Sequence, residues 1–273
     1  IRRPPRSTLF PYTTLFRSYA GVLKCFTRFF VQNEESKRLL EGIGITAVDV
    51  VGDTRFDRVL QIKEAAKQLP ICEAFRTGVA SSQSADVPHH DFKVFVAGSS
   101  WPPDENIFIP FFNEHKDWRL LIAPHVIAEE HLKLILSLIK GKKVVRYTQT
   151  TPEEAAEADV LIIDCFGLLS SMYNYGDVAY IGGGFGVGIH NTLEAAVWNM
   201  PVIFGPNNKK FQEAQGLLKS DGGFEINTYE DFSGLMSSLM NDETFLKQAG
   251  DKAGAFVAHL AGATDKVLAS VKL

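Results

Sequence analysis

The chain has 273 residues, 45% hydrophobic and 22% charged, proportions ordinary for a globular protein of one large or two smaller domains. Its net charge of -4 gives no global case for binding nucleic acid, and no apolar run approaches the about 18 residues of a membrane span. Cys25, Cys72 and Cys165 form an odd set without metal-ligand spacing, so they read as free thiols of a reducing compartment, and no metal site is expected.

Residues 1–18 carry three prolines and four arginines without helical or strand period, and lack the apolar centre of a signal peptide. The segment resembles a translated sequencing adapter. It is expected to be a non-native arm, with the natural amino-terminal part of the protein missing. As a basic, proline-rich arm it could instead touch anionic lipid.

From Tyr19 the pattern becomes protein-like. Residues 19–27 could end a helix, Phe29 to Val31 read as a short strand, and Asn33 caps a helix over Glu34 to Glu41. Val48 to Val51 form another strand. Asp53, Arg55 and Asp57 read as a solvated loop with local ion pairs, and a helix is expected from Arg58 to about Leu69. Thr77 to His90 is polar and linker-like; the adjacent His89 and His90 cannot share a helix face and read as a solvated pair. The domain reading is therefore a remnant of an amino-terminal Rossmann-like domain over 19–76, a linker over 77–91 and a second domain over 92–273.

That second domain opens with the apolar strand Phe92 to Ala97, then Gly98-Ser99-Ser100 before a helix. Ser99 and Ser100 suit contact with phosphate or carboxylate, and N-capping explains them equally. Asp104 and Glu105 favour the amino end of the following helix through its dipole. Trp118 to Ala123 is the next strand, and Pro124-His125 follows it, where open α/β sheets bind ligands. A helix over Ala128 to Ile139, strands at 142–146 and 159–164, an acidic helix from Pro152 and a turn at Phe166-Gly167-Leu168 come next. Beyond Pro206, helices are expected over 211–219, 229–240 and 242–258 and from Asp265 onward, with a short strand over 223–226. Met236 and Met240 read as core. This alternation predicts a doubly wound parallel sheet.

The most informative stretch is Val178 to Ile181, an apolar strand, followed by five glycines between Gly182 and Gly188 and then His190-Asn191-Thr192-Leu193-Glu194-Ala195-Ala196. Such a loop can fold around a ligand or serve only as a tight connection. It is neither a GxGxxG nor a Walker pattern. Asn191 is expected to cap a helix whose first amides attract anions, with Glu194 placed to accept from a sugar's hydroxyls. The strand Pro201 to Phe204 completes a βαβ unit.

This run resembles the nucleotide-sugar loop of Kdo transferases, enzymes that move 3-deoxy-manno-octulosonic acid from a CMP donor onto lipid A precursors. The resemblance extends in order through Phe30 to Ser36, Gly52 to Asp57, Ala97 to Ser100, Pro124-His125, Phe166 to Leu168 and Gly262 to Thr264. It implies a two-domain GT-B architecture, with acceptor bound by the amino-terminal half and CMP-sugar by the carboxyl-terminal half. Ser99, Ser100, Pro124, His125, Phe166, Gly167, Leu168, His190, Asn191, Thr192, Leu193 and Glu194 would bind the nucleotide sugar. Where the family pattern is Pro-Arg-His, this sequence has Pro-His. The implied chemistry is inverting, metal-independent and without cofactor. The family's base is a glutamate upstream of the matched residues, so no catalytic residue is assigned and the chain alone is expected to be inactive. The implied setting is lipopolysaccharide assembly at the cytoplasmic face of a bacterial inner membrane, reached through the missing amino-terminal part, with no nucleic-acid partner. A GT-B transferase using a UDP-sugar and a non-catalytic nucleotide-binding module remain the alternatives.

Overall fold

The computed structural model describes residues 21–79 and 92–271. The arm at 1–18, most of the 77–91 linker, His89 and His90 lie outside the described residues. The chain divides into two compact units, one of Ile1–Asp57 with Leu260–Leu273 and the other of Arg58–His259. This differs from the expected boundaries, which put residues 58–76 with the first domain and the chain's end with the second.

In the first unit, β1 (Phe29–Val31) and β2 (Val48–Val50) pair in parallel, with Phe29 opposite Val48. Helix α1 (Glu34–Glu41) connects them, and its cap Asn33 accepts the Ser36 amide at 2.8 Å. Asp53 pairs with Arg55 at 2.7 Å, as a local ion pair should. Asp57 departs from the solvated reading. Its carboxylate accepts the Gly262 amide and, each at 2.7 Å, the Thr264 amide and hydroxyl. Burial opposes ionisation of Asp57, but these donors outweigh it and hold its pKa low. The carboxylate thus ties the start of the last helix, Ala263–Ser270, into this unit.

Helix α2 runs over Thr54–Glu64 and a separate helix α3 over Pro70–Thr77, in place of the single helix expected from Arg58 to about Leu69. Pro70 is the cause. It forces Leu69 into an extended conformation (φ -123°, ψ 90°) and then starts a new helix at its first position.

The second unit carries a seven-stranded parallel sheet in the order β5-β6-β4-β3-β7-β8-β9. The strands are β3 (Lys93–Ser100), β4 (Trp118–Pro124), β5 (Val144–Arg146), β6 (Val160–Ile162), β7 (Val178–Ile181), β8 (Val202–Phe204) and β9 (Gly223–Glu225). Helices α4 (Pro102–Glu114), α5 (Glu129–Leu138), α6 (Pro152–Ala156), α7 (Leu169–Met172), α8 (Leu193–Ala196), α9 (Gln212–Lys219), α10 (Tyr229–Asn241) and α11 (Glu243–Leu260) fill the connections. Val94 to Ala97 are wholly buried. A strand covered on both faces needs such a continuous apolar run. On one face Phe95 packs 4.8 Å from Phe112 and 5.6 Å from Phe232, ring centroid to centroid, and Met236 is buried in the same cluster.

Strand β3 pairs with β4 on one side and β7 on the other. The chain leaves β3 in one direction, and leaves β7 in the other toward β8, so a crevice opens at the carboxyl ends of β3 and β7. The fold is the expected α/β doubly wound sheet. No described helix is long and apolar enough to cross a membrane.

The loops after β7 and β8 meet backbone to backbone at Gly184 and Gly205. A Cβ on Gly184 would lie 2.5 Å from the Gly205 nitrogen. Gly184→Ala should therefore lower the unfolding free energy by about 1–3 kcal/mol in urea denaturation. An unchanged midpoint would mean that the two loops do not touch.

Candidate functional site

The crevice is built by four segments that end parallel strands. Ser99 to Trp101 follow β3, Pro124 and His125 close β4, residues 163–168 follow β6, and the glycine loop follows β7. Ser99, Pro124, His125, Cys165, Phe166 and Gly167 are among the residues that line a cavity of about 200 Å³ there. Ser99 holds a left-handed conformation (φ 52°), as does Gly167 (φ 81°). Phe166 is 79% exposed at the rim. Burial, and then the charge of Asp164, raise the Cys165 pKa and keep it a thiol.

The glycine loop closes largely on itself. The Gly183 carbonyl accepts the amides of Gly186 and Gly188, each at 3.0 Å, and the His190 amide donates to the Gly182 carbonyl at 3.2 Å. Gly183 has φ 91°, which a side chain would resist. The loop is thus a compact knuckle rather than an open cradle.

A carboxylate that the sequence reading assigned to the helix dipole holds this knuckle in place. Asp104 is wholly buried and accepts three hydrogen bonds: from the Trp101 amide (2.9 Å), the Gly183 amide (2.9 Å) and the Tyr180 hydroxyl (2.8 Å). Burial raises its pKa, and the three donors pull the other way. Its neighbour Glu105, also wholly buried, accepts from the Ser100 hydroxyl at 2.8 Å and meets His131 Nε2 at 2.9 Å. The Val126 carbonyl can only accept, so His131 Nδ1, 2.8 Å away, carries a proton. His131 thereby braces the turn that follows His125.

Of the predicted site residues, Ser99, Pro124, His125, Phe166 and Gly167 line one cleft. His190 joins them through its ring, stacked on His125 at 4.4 Å. Ser100 does not: its hydroxyl is buried and committed to Glu105. Neither serine caps α4, whose cap position is Trp101. Leu168 occupies the cap position of α7, and Leu193 is buried in the core. Asn191 was expected to be the cap of α8, but that position falls on Thr192; Asn191 Oδ1 nevertheless accepts the Leu193 amide at 3.2 Å. Asn191 Nδ2 donates to Glu194 at 3.0 Å. Thr192 is wholly buried, and its hydroxyl has no hydrogen-bond partner among the described residues. The helix itself lasts a single turn.

Sequence reasoning missed Trp101 and the clamp made by Asp104. Trp101 directly follows the serine run and could have been singled out as a ring at a strand's end. Asp104 had no such signal, because its partner Gly183 lies 79 residues away.

The fold and its crevice define an α/β protein of GT-B type. A solved structure titled as the C-terminal CMP-Kdo binding domain of WaaA from Acinetobacter baumannii superposes with a TM-score of 0.53 over 74% of this chain and 97% of that one, at 16% identity. No protein-family model matches the sequence. Among curated proteins, the 3-deoxy-D-manno-octulosonic acid transferase of Rickettsia prowazekii is 26% identical over 85% of this chain and 48% of its own length. The protein of the same name from Aquifex aeolicus is 31% identical over 56% of this chain and 43% of its own. The chain is thus similar, over most of its length, to proteins named 3-deoxy-D-manno-octulosonic acid (Kdo) transferases. It spans about half the length of the first of these curated relatives.

The raised pKa of Asp104 sets a pH dependence. A folded-state pKa above the ordinary 3.8 means that the folded form holds the proton more tightly than the unfolded form. The associated stability is complete below that ordinary value and is lost as pH rises through the folded pKa. Asp104→Asn, which cannot ionise, should gain on wild type over this acid window in denaturant titrations from pH 4 upward. A constant difference between the two would contradict the raised value. Asp104→Ala, which strands three donors, should lose about 2–5 kcal/mol.

Proposed function

We propose that this chain is the donor-binding part of a Kdo transferase, with CMP-Kdo held in the crevice at the carboxyl ends of β3, β4, β6 and β7. One observation carries the reading: Ser99, Pro124 with His125, Phe166 with Gly167, and His190 come from four distant segments and meet at that crevice. The names of the relatives supply the sugar.

In this reading Phe166 and Gly167 contact the nucleotide from the wall after β6, and Glu194 accepts from the ribose hydroxyls. The amides of Asn191 and Thr192 face the phosphate. When the bond from the anomeric carbon to phosphate oxygen breaks, CMP leaves with the electron pair and gains negative charge. Fixed N–H dipoles at that phosphate favour the transition state over the ground state. The acceptor hydroxyl, on a lipid A precursor, forms the new bond with inversion and gives its proton to a base. No residue of the chain is assigned as that base. The reading needs neither metal nor cofactor and places the whole protein at the cytoplasmic face of the bacterial inner membrane.

Calorimetric titration of the chain with CMP, with UMP and UDP as controls, tests the donor site. CMP should bind selectively, and Glu194→Ala should weaken it about tenfold or more while leaving the circular dichroism unchanged. A folded chain that ignores CMP would sink the donor reading, and a preference for UDP would favour a UDP-sugar transferase.

A further inference from the structure

Three aromatic rings meet at the crevice in an arrangement that the sequence motifs do not describe. The His125 ring stacks on Trp101 (4.7 Å between centroids, 25° between planes) and on His190 (4.4 Å, 29°). Trp101 Nε1 lies 3.2 Å from His190 Nε2. Trp101 and His190 therefore sit side by side at hydrogen-bond distance, and His125 lies across the pair.

An indole N–H can only donate. The His190 Nε2 that faces it must hold a lone pair, so the proton of the neutral ring sits on Nδ1. The opposite tautomer would set two N–H groups against each other at 3.2 Å. Burial, and then the nearby His125, push the His190 pKa down and keep the ring neutral, against the attraction of Asp104. His190 Nδ1 makes no hydrogen bond within the described residues, and it is not among their buried atoms without a partner. It is an accessible donor on a ring that stacks against the cleft-lining His125.

We infer that Trp101 is a positioning residue: it holds His190 in the Nδ1–H tautomer, so that this N–H donates to a phosphate oxygen of the nucleotide bound in the crevice. The ligand half rests on the reading of the crevice as a CMP-sugar site. The tautomer half does not. Trp101 is itself anchored, because its amide donates to Asp104, the carboxylate that also holds Gly183. The indole, the imidazole and the glycine knuckle are thus referred to one buried group. His125 closes over the pair and limits rotation of either ring.

The test uses the full chain with nitrogen-labelled histidine. Nitrogen NMR of the free protein should show His190 unprotonated at Nε2, and Trp101→Phe, which keeps a ring for His125 to stack on, should abolish that signature. CMP affinity should fall about tenfold in Trp101→Phe. Cytidine, which lacks the phosphate, should bind the variant as well as it binds wild type. In a His190→Asn background, where an amide N–H stands in for Nδ1–H without needing the indole, Trp101→Phe should change CMP affinity less than twofold.

An Nε2–H ring in the wild type would overturn the inference. So would an equal loss for cytidine, or the same tenfold loss in the His190→Asn background, since Trp101 would then act by touching the ligand or by packing alone. Should the folded wild type ignore CMP, the ligand half falls with the donor reading, and the NMR arm still decides the role of Trp101. Should Trp101→Phe bind CMP as well as a CMP-binding wild type does, the inference fails and the donor reading stands.

Discussion

A buried carboxylate at the head of α4 holds the crevice together. Asp104 receives one donor from the turn after β3, one from the glycine loop after β7 and one from Tyr180 inside β7. These are the two strands on either side of the topological switch, where the connections leave in opposite directions. A group that bridges them fixes how wide the crevice stands. The energetic cost of burying the carboxyl is offset by three hydrogen bonds, and the offset is incomplete, as its raised pKa records. Glu105 repeats the device one residue later, tying Ser100 to His131 and so to the turn beyond His125.

The clamp alters what the glycines mean. Dense glycine suggests a loop that wraps a ligand, yet here the loop wraps its own carbonyls and packs against Gly205. Small residues are needed because backbone meets backbone. What is left to meet a ligand lies at the knuckle's edge, where the His190 ring stacks on His125.

In the first unit a carboxylate again does what no local pattern announces. Asp57 sits in a run, Asp53 to Asp57, that reads as a charged surface loop, and Asp53 and Arg55 behave that way. Asp57 reaches the Gly262–Thr264 segment, more than two hundred residues on. The two stretches Gly52 to Asp57 and Gly262 to Thr264 both carry the family resemblance. Their contact gives a physical reason for each to need the other.

The central strands were legible because each is buried on both faces, and a doubly covered strand must be an unbroken apolar run. Val94 to Ala97, Leu120 to Ile122 and Val178 to Ile181 announce themselves in that way. The alternation of such runs with helical stretches determined the doubly wound sheet, and a doubly wound sheet places its ligand mouth at the strands' carboxyl ends. Pro70 also marks, in the sequence, the start of the helix Pro70–Thr77. Tertiary contacts decided the rest. Ser100 and Ser99 are equal candidates in sequence; only the buried Glu105 turns one inward, and Ser99 is left at the cleft. Asp104 could be placed on a helix by its sequence but not against Gly183, and nothing local joins Trp101 to His190. A hydrogen bond between residues 79 or 89 positions apart depends on how strands are ordered in the sheet, and that order is fixed by the packing of the whole chain.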